Sequence, residues 1–473
     1  MKHPILKLIL LTAIPIGALS ARTIPTHASA DRVLGHTDLN GSPGSSLAAS
    51  LDSPTGIAID PTTGKVFVAD TFNHRILRFP NAASITNGAA AEAVLGQATL
   101  TTSPVAAVTA QGMDRPGALF VDSLGRLWVA DRNNARVLRF SSASTLANHS
   151  AADRVYGQPD FTSNQFNVTA SGMINPTGVW VDSGDRLWVA DEASCRVLRF
   201  DNISSKPNGA AADGVLGQPN LTSGGQGSGA TGLERPMAIA ISNLGSLFVA
   251  CERGNRVVRF DQAASLPDGA AASAVFGQPD FDTITAGTGP GGLSNPVGLA
   301  ISKTDSLWIC DQFNSRLLRI DGASTRVSGT PASAVVGQPN FTSVAGGMTA
   351  QAINYPQGGM AVDSEGNLWM TDRYNSRALR FPAIISNPTL AVASEVPKKT
   401  RQRSISIRGN ARDPEGISRV RYSLNDGPFR RAAGGQRWSF SQNLKIGENR
   451  ITIIAEDPWG DLSKERTLRI IRK

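Results

Sequence analysis

The side chains capable of chemistry in this chain recur at fixed spacing, and that recurrence governs how they are read. Asp70, Asp131, Asp191, Asp311 and Asp372 each end an apolar run, and five residues later comes an arginine: Arg75, Arg136, Arg196, Arg316 and Arg377. A carboxylate facing a guanidinium can do acid–base work, or it can close a β-hairpin as an opposite-charge pair for about 0.2–1 kcal/mol. A copy in every repeat points to the hairpin. One repeat departs from the rule: Cys251 takes the Asp position, so Arg256 must find Glu252 or another acceptor. A second arginine follows three residues on in each copy, at Arg78, Arg139, Arg199, Arg259, Arg319 and Arg380. Asp60, Asp122, Asp182 and Asp363 open turns such as Asp122-Ser-Leu-Gly125, which is ordinary turn chemistry rather than calcium ligation.

The remaining candidates are few. Beyond residue 30 the histidines are His36, His74 and His149, and the cysteines are Cys195, Cys251 and Cys310. Their positions differ from repeat to repeat, and three thiols cannot all pair within one chain. No Cys-x-x-Cys or paired-His spacing occurs, so no metal site and no cofactor are expected. Gly287-Thr-Gly289-Pro-Gly-Gly292 matches a dinucleotide fingerprint, but no helix follows to present its N-terminus to a pyrophosphate. The expectation is a protein with no catalytic residues.

The elements that carry these residues form one repeating unit. Six copies open at Pro54, Pro116, Pro176, Pro236, Pro296 and Pro356, spaced by 60 or 62 residues, and each holds four short strand patterns. Strand a follows the proline, strand b ends at the Asp position, strand c reads Arg-x-x-Arg, and strand d reads Val-x-Gly. A unit of this size that cannot bury its faces alone must stack on its neighbours as a propeller blade. The chain opens with a lone d pattern at Arg32 to Gly35 and ends the array with a, b and c, so the first d should pair with Arg377 to Phe381 and close a six-bladed ring. Closure removes exposed sheet edges. Strand b repeats a large aromatic at Phe67, Trp128, Trp188, Phe248, Trp308 and Trp369, and strand a a small residue at Gly56, Ala118, Gly178, Ala238, Gly298 and Gly358, as crowded innermost strands require.

These copies resemble NHL repeats, most clearly in Asp70-Thr-Phe-Asn73-His74-Arg75-Ile76, and the resemblance runs over about residues 32–382. It implies an all-β fold, a six-bladed β-propeller of NHL type. It does not imply one activity, because that family's propellers include RNA readers, scaffolds, sensor heads, lyases and hydrolases. Its amidating lyases gather several histidines at the axis, and its lactonase-like hydrolases place carboxylates and amides on inner strands. Strand a here offers Gly, Ala, Ile and Val.

Residues 404–473, with 391 as the alternative start, carry short alternating strands, an Asn425-Asp426-Gly427 turn and Trp438-Ser-Phe440, and are expected to form a small β-sandwich. Gly447 to Ile453 and Ala455-Glu-Asp-Pro-Trp-Gly460 resemble the end of a bacterial immunoglobulin-like domain. Residues 383–403 read as a basic linker. At the other end, Lys2, His3 and Lys7 precede an apolar run from Leu8 to Leu19, and small-residue sites stand at Ser20 and at Ala28-Ser29-Ala30: a secretory signal peptide, 1–30, cleaved after Ala30 by preference or after Ser20. A secreted, periplasmic or cell-surface protein without a transmembrane segment follows. Charge is divided: 391–473 carries 18 Lys and Arg against 9 Asp and Glu, while 31–387 carries 25 against 29.

Because strands alternate in direction, the b-to-c turns and the long d-to-a loops share one face, the expected ligand face. Its turns vary while their frame repeats: Phe72 and His74; Arg132 and Asn133; Glu192; Glu252 and Arg253; Gln312 and Phe313; Arg373 and Tyr374. Such tips suit a peptide, glycan or protein partner. The function expected is a non-catalytic binding or scaffold protein whose basic C-terminal module attaches to anionic envelope polymers, with a propeller lyase or hydrolase acting at the central channel as the alternative. Nucleic acid is disfavoured by export and by the acidic propeller.

Overall fold

The computed structural model describes residues 23–40, 44–384, 388–393, 395–413, 417–456 and 462–473. The basic start, the Leu8 to Leu19 run and Ser20 lie outside these, as does the Asp457 to Gly460 segment. Two units separate: Ile24–Ala383, and one that holds Ile384–Lys473.

The first unit is a six-bladed β-propeller of four-stranded antiparallel sheets, each in the order a-b-c-d. Blade one, for instance, comprises Gly56–Ile59, Lys65–Asp70, Arg75–Asn81 and Ala93–Leu95. Blade six takes a, b and c from Met360–Val362, Leu368–Asp372 and Arg377–Phe381, and d from Arg32–Leu34, which pairs in the register Arg32↔Arg380, Val33↔Leu379 and Leu34↔Ala378. The ring is closed as the strand count required. Small residues on strand a are enforced by the neighbouring blade: a Cβ on Gly56 would collide with the carbonyl oxygen of Gly117, and one on Gly298 with that of Gly358.

The arginines hold this frame together. The first of each c strand is fully buried and donates to carbonyls of the preceding d-to-a loop, and in five blades it pairs with the hairpin Asp. Arg136, for example, bonds Asp131 at 2.7 Å and the carbonyls of Thr109 and Gly112 at 2.9 Å. Arg316 does the same with Gly289 and Gly292, so the apparent nucleotide fingerprint is a loop clamped by a guanidinium. Burial makes these pairs worth more than the cross-strand contact of about 0.2–1 kcal/mol expected from sequence, because removing one partner strands a desolvated charge, at about 3–5 kcal/mol. The second arginines are mortar between blades: Arg139 lies 5.8 Å from the Trp128 ring and donates to the Ile203 carbonyl of the next blade. The turn aspartates are equally structural, since Asp122, Asp182 and Asp363 accept from the indole N–H of Trp128, Trp188 and Trp369.

Blade four makes up for its missing Asp with another acceptor than Glu252, the second of the alternatives that the sequence left open. Arg256 bonds Glu234, Nε to Oε2 at 3.2 Å and Nη2 to Oε1 at 2.9 Å, and not Glu252. Glu234 precedes strand a, where the equivalent Ser294 of blade five donates its N–H to Asp311. The turn makes room: four other blades place an Asn such as Asn314 against the Asp, whereas blade four has Gly254, whose Cβ would stand 2.5 Å from Glu234 Oε2.

The segment before the first strand is part of the array. The αL residue of each c-to-d loop donates to a d-strand carbonyl of the preceding blade, as in Gly88 to Val33, His149 to Val94 and Gly329 to Val275, and His27 makes the same bond to Val335. Three residues on, Ala30 bonds Ala350 as Ala91 bonds Ala48. Arg319, lacking a c-to-d loop in the next blade, donates to the Ile24 carbonyl at 2.6 Å. Ile24 and Ala30 are buried. Residues 24–30 are therefore the second half of the blade-six c-to-d loop, and Ala28-Ser29-Ala30 is a repeat motif rather than an exposed tail.

The second unit is a β-sandwich. One sheet holds Thr389–Val392, Ser404–Arg412, Arg437–Asn443 and Ala433–Gly434; the other holds Lys399–Thr400, Arg466–Arg472, Gly447–Glu456, Arg419–Leu424 and Arg430–Arg431. Between them lie Ile407, Val420, Trp438, Ile451, Ile453 and Ile470, with Tyr422 and Phe440 stacked at 3.7 Å. Asn425 and Asp426 both have positive φ, as the hairpin turn requires. The stretch 383–403 read as a basic linker thus contributes two strands. Its strands are short and partly exposed, Thr389–Val392 alternating exposed with half-buried residues, so its charge disguised the alternation.

Candidate functional site

The inner strands enclose a cavity of about 400 Å³ along the propeller axis. Its walls are the edges and small or apolar side chains of the a strands, among them Ile57, Leu119, Val179, Ile239, Leu299 and Met360, with Phe120 and Trp180 in ring contact at 4.5 Å. Polar groups gather where the b-to-c turns meet the d-to-a loops: Thr55, Thr71, Asn133, Asn175, Thr177 and Gln357. The only charged residues among the described lining are Arg115, Arg132 and Arg373.

The turns that deliver these groups are built alike. Thr71–Asn73 in blade one and Arg373–Asn375 in blade six are single 3-10 turns ended by an αL residue, His74 and Ser376. That frame aims the first two turn residues at the axis or at solvent. The loops add a second ring. The residue before the strand-a proline has positive φ in five blades, at Ser53, Arg115, Arg235, Asn295 and Tyr355, and its backbone N–H docks on the preceding turn: Arg115 on His74 Nδ1 at 3.2 Å, Asn295 on Asn255 Oδ1 at 2.8 Å, Tyr355 on Ser315 Oγ at 3.4 Å.

The sequence-selected residues divide accordingly. Phe72, Arg132, Asn133 and Arg373 reach the channel mouth. Phe313 and Tyr374 are exposed and join Tyr355 in edge-on contacts of 6.0 and 5.9 Å, and Arg373 lies 5.5 Å from the Tyr374 ring. An arc of alternating rings and guanidinium therefore runs from Phe313 through Tyr355, Tyr374 and Arg373 to Phe72. Glu192, Glu252 and Gln312 serve the wall instead. Glu192 is buried and ion-paired to Arg235, which also holds Glu252 at 2.7 Å, and Gln312 accepts from Asn295. His74 is an inter-blade strut, its Nδ1 accepting from the Arg115 N–H of the next blade. Arg253 is exposed beside that wall. The pre-proline ring, including Arg115 and Tyr355, was missed by sequence reasoning. Its signal was available, since variable residues stand before an invariant proline.

The remaining titratable groups are structural. Desolvation pushes the Asp70 carboxyl up to about 6 against the pull of Arg75 and of hydrogen bonds from Asp52 N–H and Asn73, and Asp131, Asp311 and Asp372 move the same way. All three cysteines are free and buried; burial raises Cys251 to about 12 and shifts Cys195 and Cys310 upward. Such thiols are neutral and unreactive. His149 lies in a c-to-d loop, on the face opposite His74. Among the described residues no three His, Cys, Asp or Glu side chains converge as metal ligands, and no helix is long and apolar enough to cross a membrane.

Comparison with known proteins gives a match to the NHL repeat model at residues 51–79. No curated protein matches the chain. Solved structures similar to it include a streptogramin B lyase (13% identity, TM-score 0.42, covering 73% of this chain and 96% of that one). A gluconolactonase from Xanthomonas campestris is similar at 13% identity and TM-score 0.42, over 77% and 98%. A nidogen/laminin complex is similar at 15% identity and TM-score 0.37, over 61% and 86%. Enzymes and binding proteins are both among these structures.

Proposed function

We propose that this chain is an exported, non-catalytic binding protein whose propeller holds its ligand over the channel mouth on the b-to-c turn face. One observation carries this reading: among the described residues lining the cavity there is no Asp, Glu, His, Cys, Lys or Tyr, hence no side chain able to exchange a proton near neutral pH. What the mouth supplies instead is recognition, through aromatic faces, guanidinium groups and amides that both donate and accept. A lyase or hydrolase working in the channel is the alternative. The test is to incubate the purified chain with a ligand it retains and analyse the ligand afterwards: recovery intact supports binding, and stoichiometric or catalytic conversion supports the enzyme.

Export is part of the proposal, and the packing of Ile24, His27 and Ala30 favours cleavage after Ser20 over cleavage after Ala30, which would remove half a loop from blade six. For the sandwich we propose an immunoglobulin-like attachment module for anionic envelope polymers. Truncation after Ala383 is expected to abolish salt-sensitive retention on anionic envelope fractions, and unchanged retention would dismiss that role.

A further inference from the structure

The three arginines at the mouth reach it from two turns and one loop: Arg132 and Arg373 from the b-to-c turns of blades two and six, Arg115 from the residue before strand a of blade two. Arg115 and Arg373 place their guanidinium carbons 5.1 and 5.2 Å from the centre of the same Phe72 ring. Neither is ion-paired among the described residues, although the propeller as a whole carries more acids than bases. Arg132 is only partly neutralised, by Glu192 at 3.4 Å, a carboxylate that Arg235 also holds. Burial pulls Arg373 below its ordinary value and the charges of Arg132 and Arg115 pull the same way, partly countered by Tyr374 and Asp52. Three like charges with one paired carboxylate between them, itself shared with Arg235, store repulsion that a bound anion relieves.

A second observation narrows the ligand. Beyond the mouth the arc of Tyr374, Tyr355 and Phe313 offers exposed ring faces of the kind that pack against the apolar faces of sugars, so the anion sought is one carried on a sugar.

Resting on the ligand-face reading above, we infer that this propeller binds an acidic oligosaccharide, with the carboxylate of a terminal uronate gripped by Arg115, Arg132 and Arg373. The following sugars run out over Tyr374, Tyr355 and Phe313. The test is calorimetric titration of the mature chain with a trigalacturonate, with a neutral galactose trisaccharide, and with a short single-stranded oligonucleotide. Trigalacturonate is expected to bind at least about tenfold more tightly than the neutral sugar, the value of one charged hydrogen bond. Arg373→Gln and Arg115→Gln are each expected to remove most of that difference, with unchanged thermal melting as the folding control, while Tyr374→Ala weakens both sugars. Equal affinity for the two sugars, no uronate binding, or tighter binding of the oligonucleotide overturns the inference. If arginine variants have no effect but Tyr374→Ala does, the anion grip fails and the ligand face stands; if uronate binds and none of these variants matters, the face itself is wrong.

Discussion

Blade four offers the sharpest test of how the frame is held, because its hairpin arginine depends on a single substituted acid. In Glu234→Ala, Arg256 stays fully buried and keeps the carbonyls of Gly229, Gly232 and Phe281, but loses the one carboxylate it pairs with among the described residues. Breaking a buried pair from one side costs about 3–5 kcal/mol, and the three surviving carbonyls place this site at the lower end, about 3 kcal/mol. Cys251→Asp alone is also expected to destabilise, since two carboxylates would then share one guanidinium. Together, Glu234→Ala and Cys251→Asp rebuild the pairing of blade five, where Asp311 bonds Arg316 at 2.7 Å and receives the backbone N–H of Ser294. The double variant should therefore recover at least about 2 kcal/mol relative to the sum of the single changes, a coupling typical of residues in one network. Urea unfolding followed by tryptophan fluorescence measures all four corners of the cycle. A Glu234→Ala cost below about 0.5 kcal/mol, the level of an ordinary surface substitution, or strict additivity, would refute the role given to the buried pair.

Three further outcomes follow from the same structure. Native protein should expose no thiol to a disulfide reagent over minutes and three thiols once denatured, because Cys195, Cys251 and Cys310 are all free and buried; rapid native labelling would contradict this. The Asp70 carboxyl, raised to about 6 in the folded chain against an ordinary 3.8, binds its proton more tightly when folded, so its contribution is full below pH 3.8 and lost as pH rises through 6. Melting of the parent relative to Asp70→Asn should accordingly improve as pH falls from 6 to 4, and a fall in that window would reverse the assignment. Mass spectrometry of exported protein should find a mature chain beginning before Thr23, and deletion of residues 23–30 should lower the unfolding midpoint; a mature chain beginning at Asp31 with full stability would remove His27 and Ile24 from the ring.

Much of the propeller was legible because its repeats are nearly uniform in length, so strand count and closure could be read without knowing a contact. What escaped was whatever depends on backbone sign or on a neighbouring blade. Arg115 reaches the mouth, and Tyr355 the arc beside it, from positions of positive φ before a proline, and no residue type announces that conformation in an arginine or a tyrosine. Glu234 was not named, while Glu252 was, because sequence proximity to the hairpin is not spatial proximity to Arg256. Ala28-Ser29-Ala30 reads as a processing site in the sequence, yet it stands where other c-to-d loops also place small residues, as Ala89-Ala-Ala91 shows. The supposed linker was misassigned because edge strands of two to four residues carry too few alternations to stand out against lysines and arginines.

The most direct measurement of the central claim is a crystal structure of the mature protein soaked with trigalacturonate. The account predicts an uncleaved sugar whose carboxylate lies among Arg115, Arg132 and Arg373 beside Phe72. Density on the opposite face of the propeller, or a cleaved product in the channel, would contradict it.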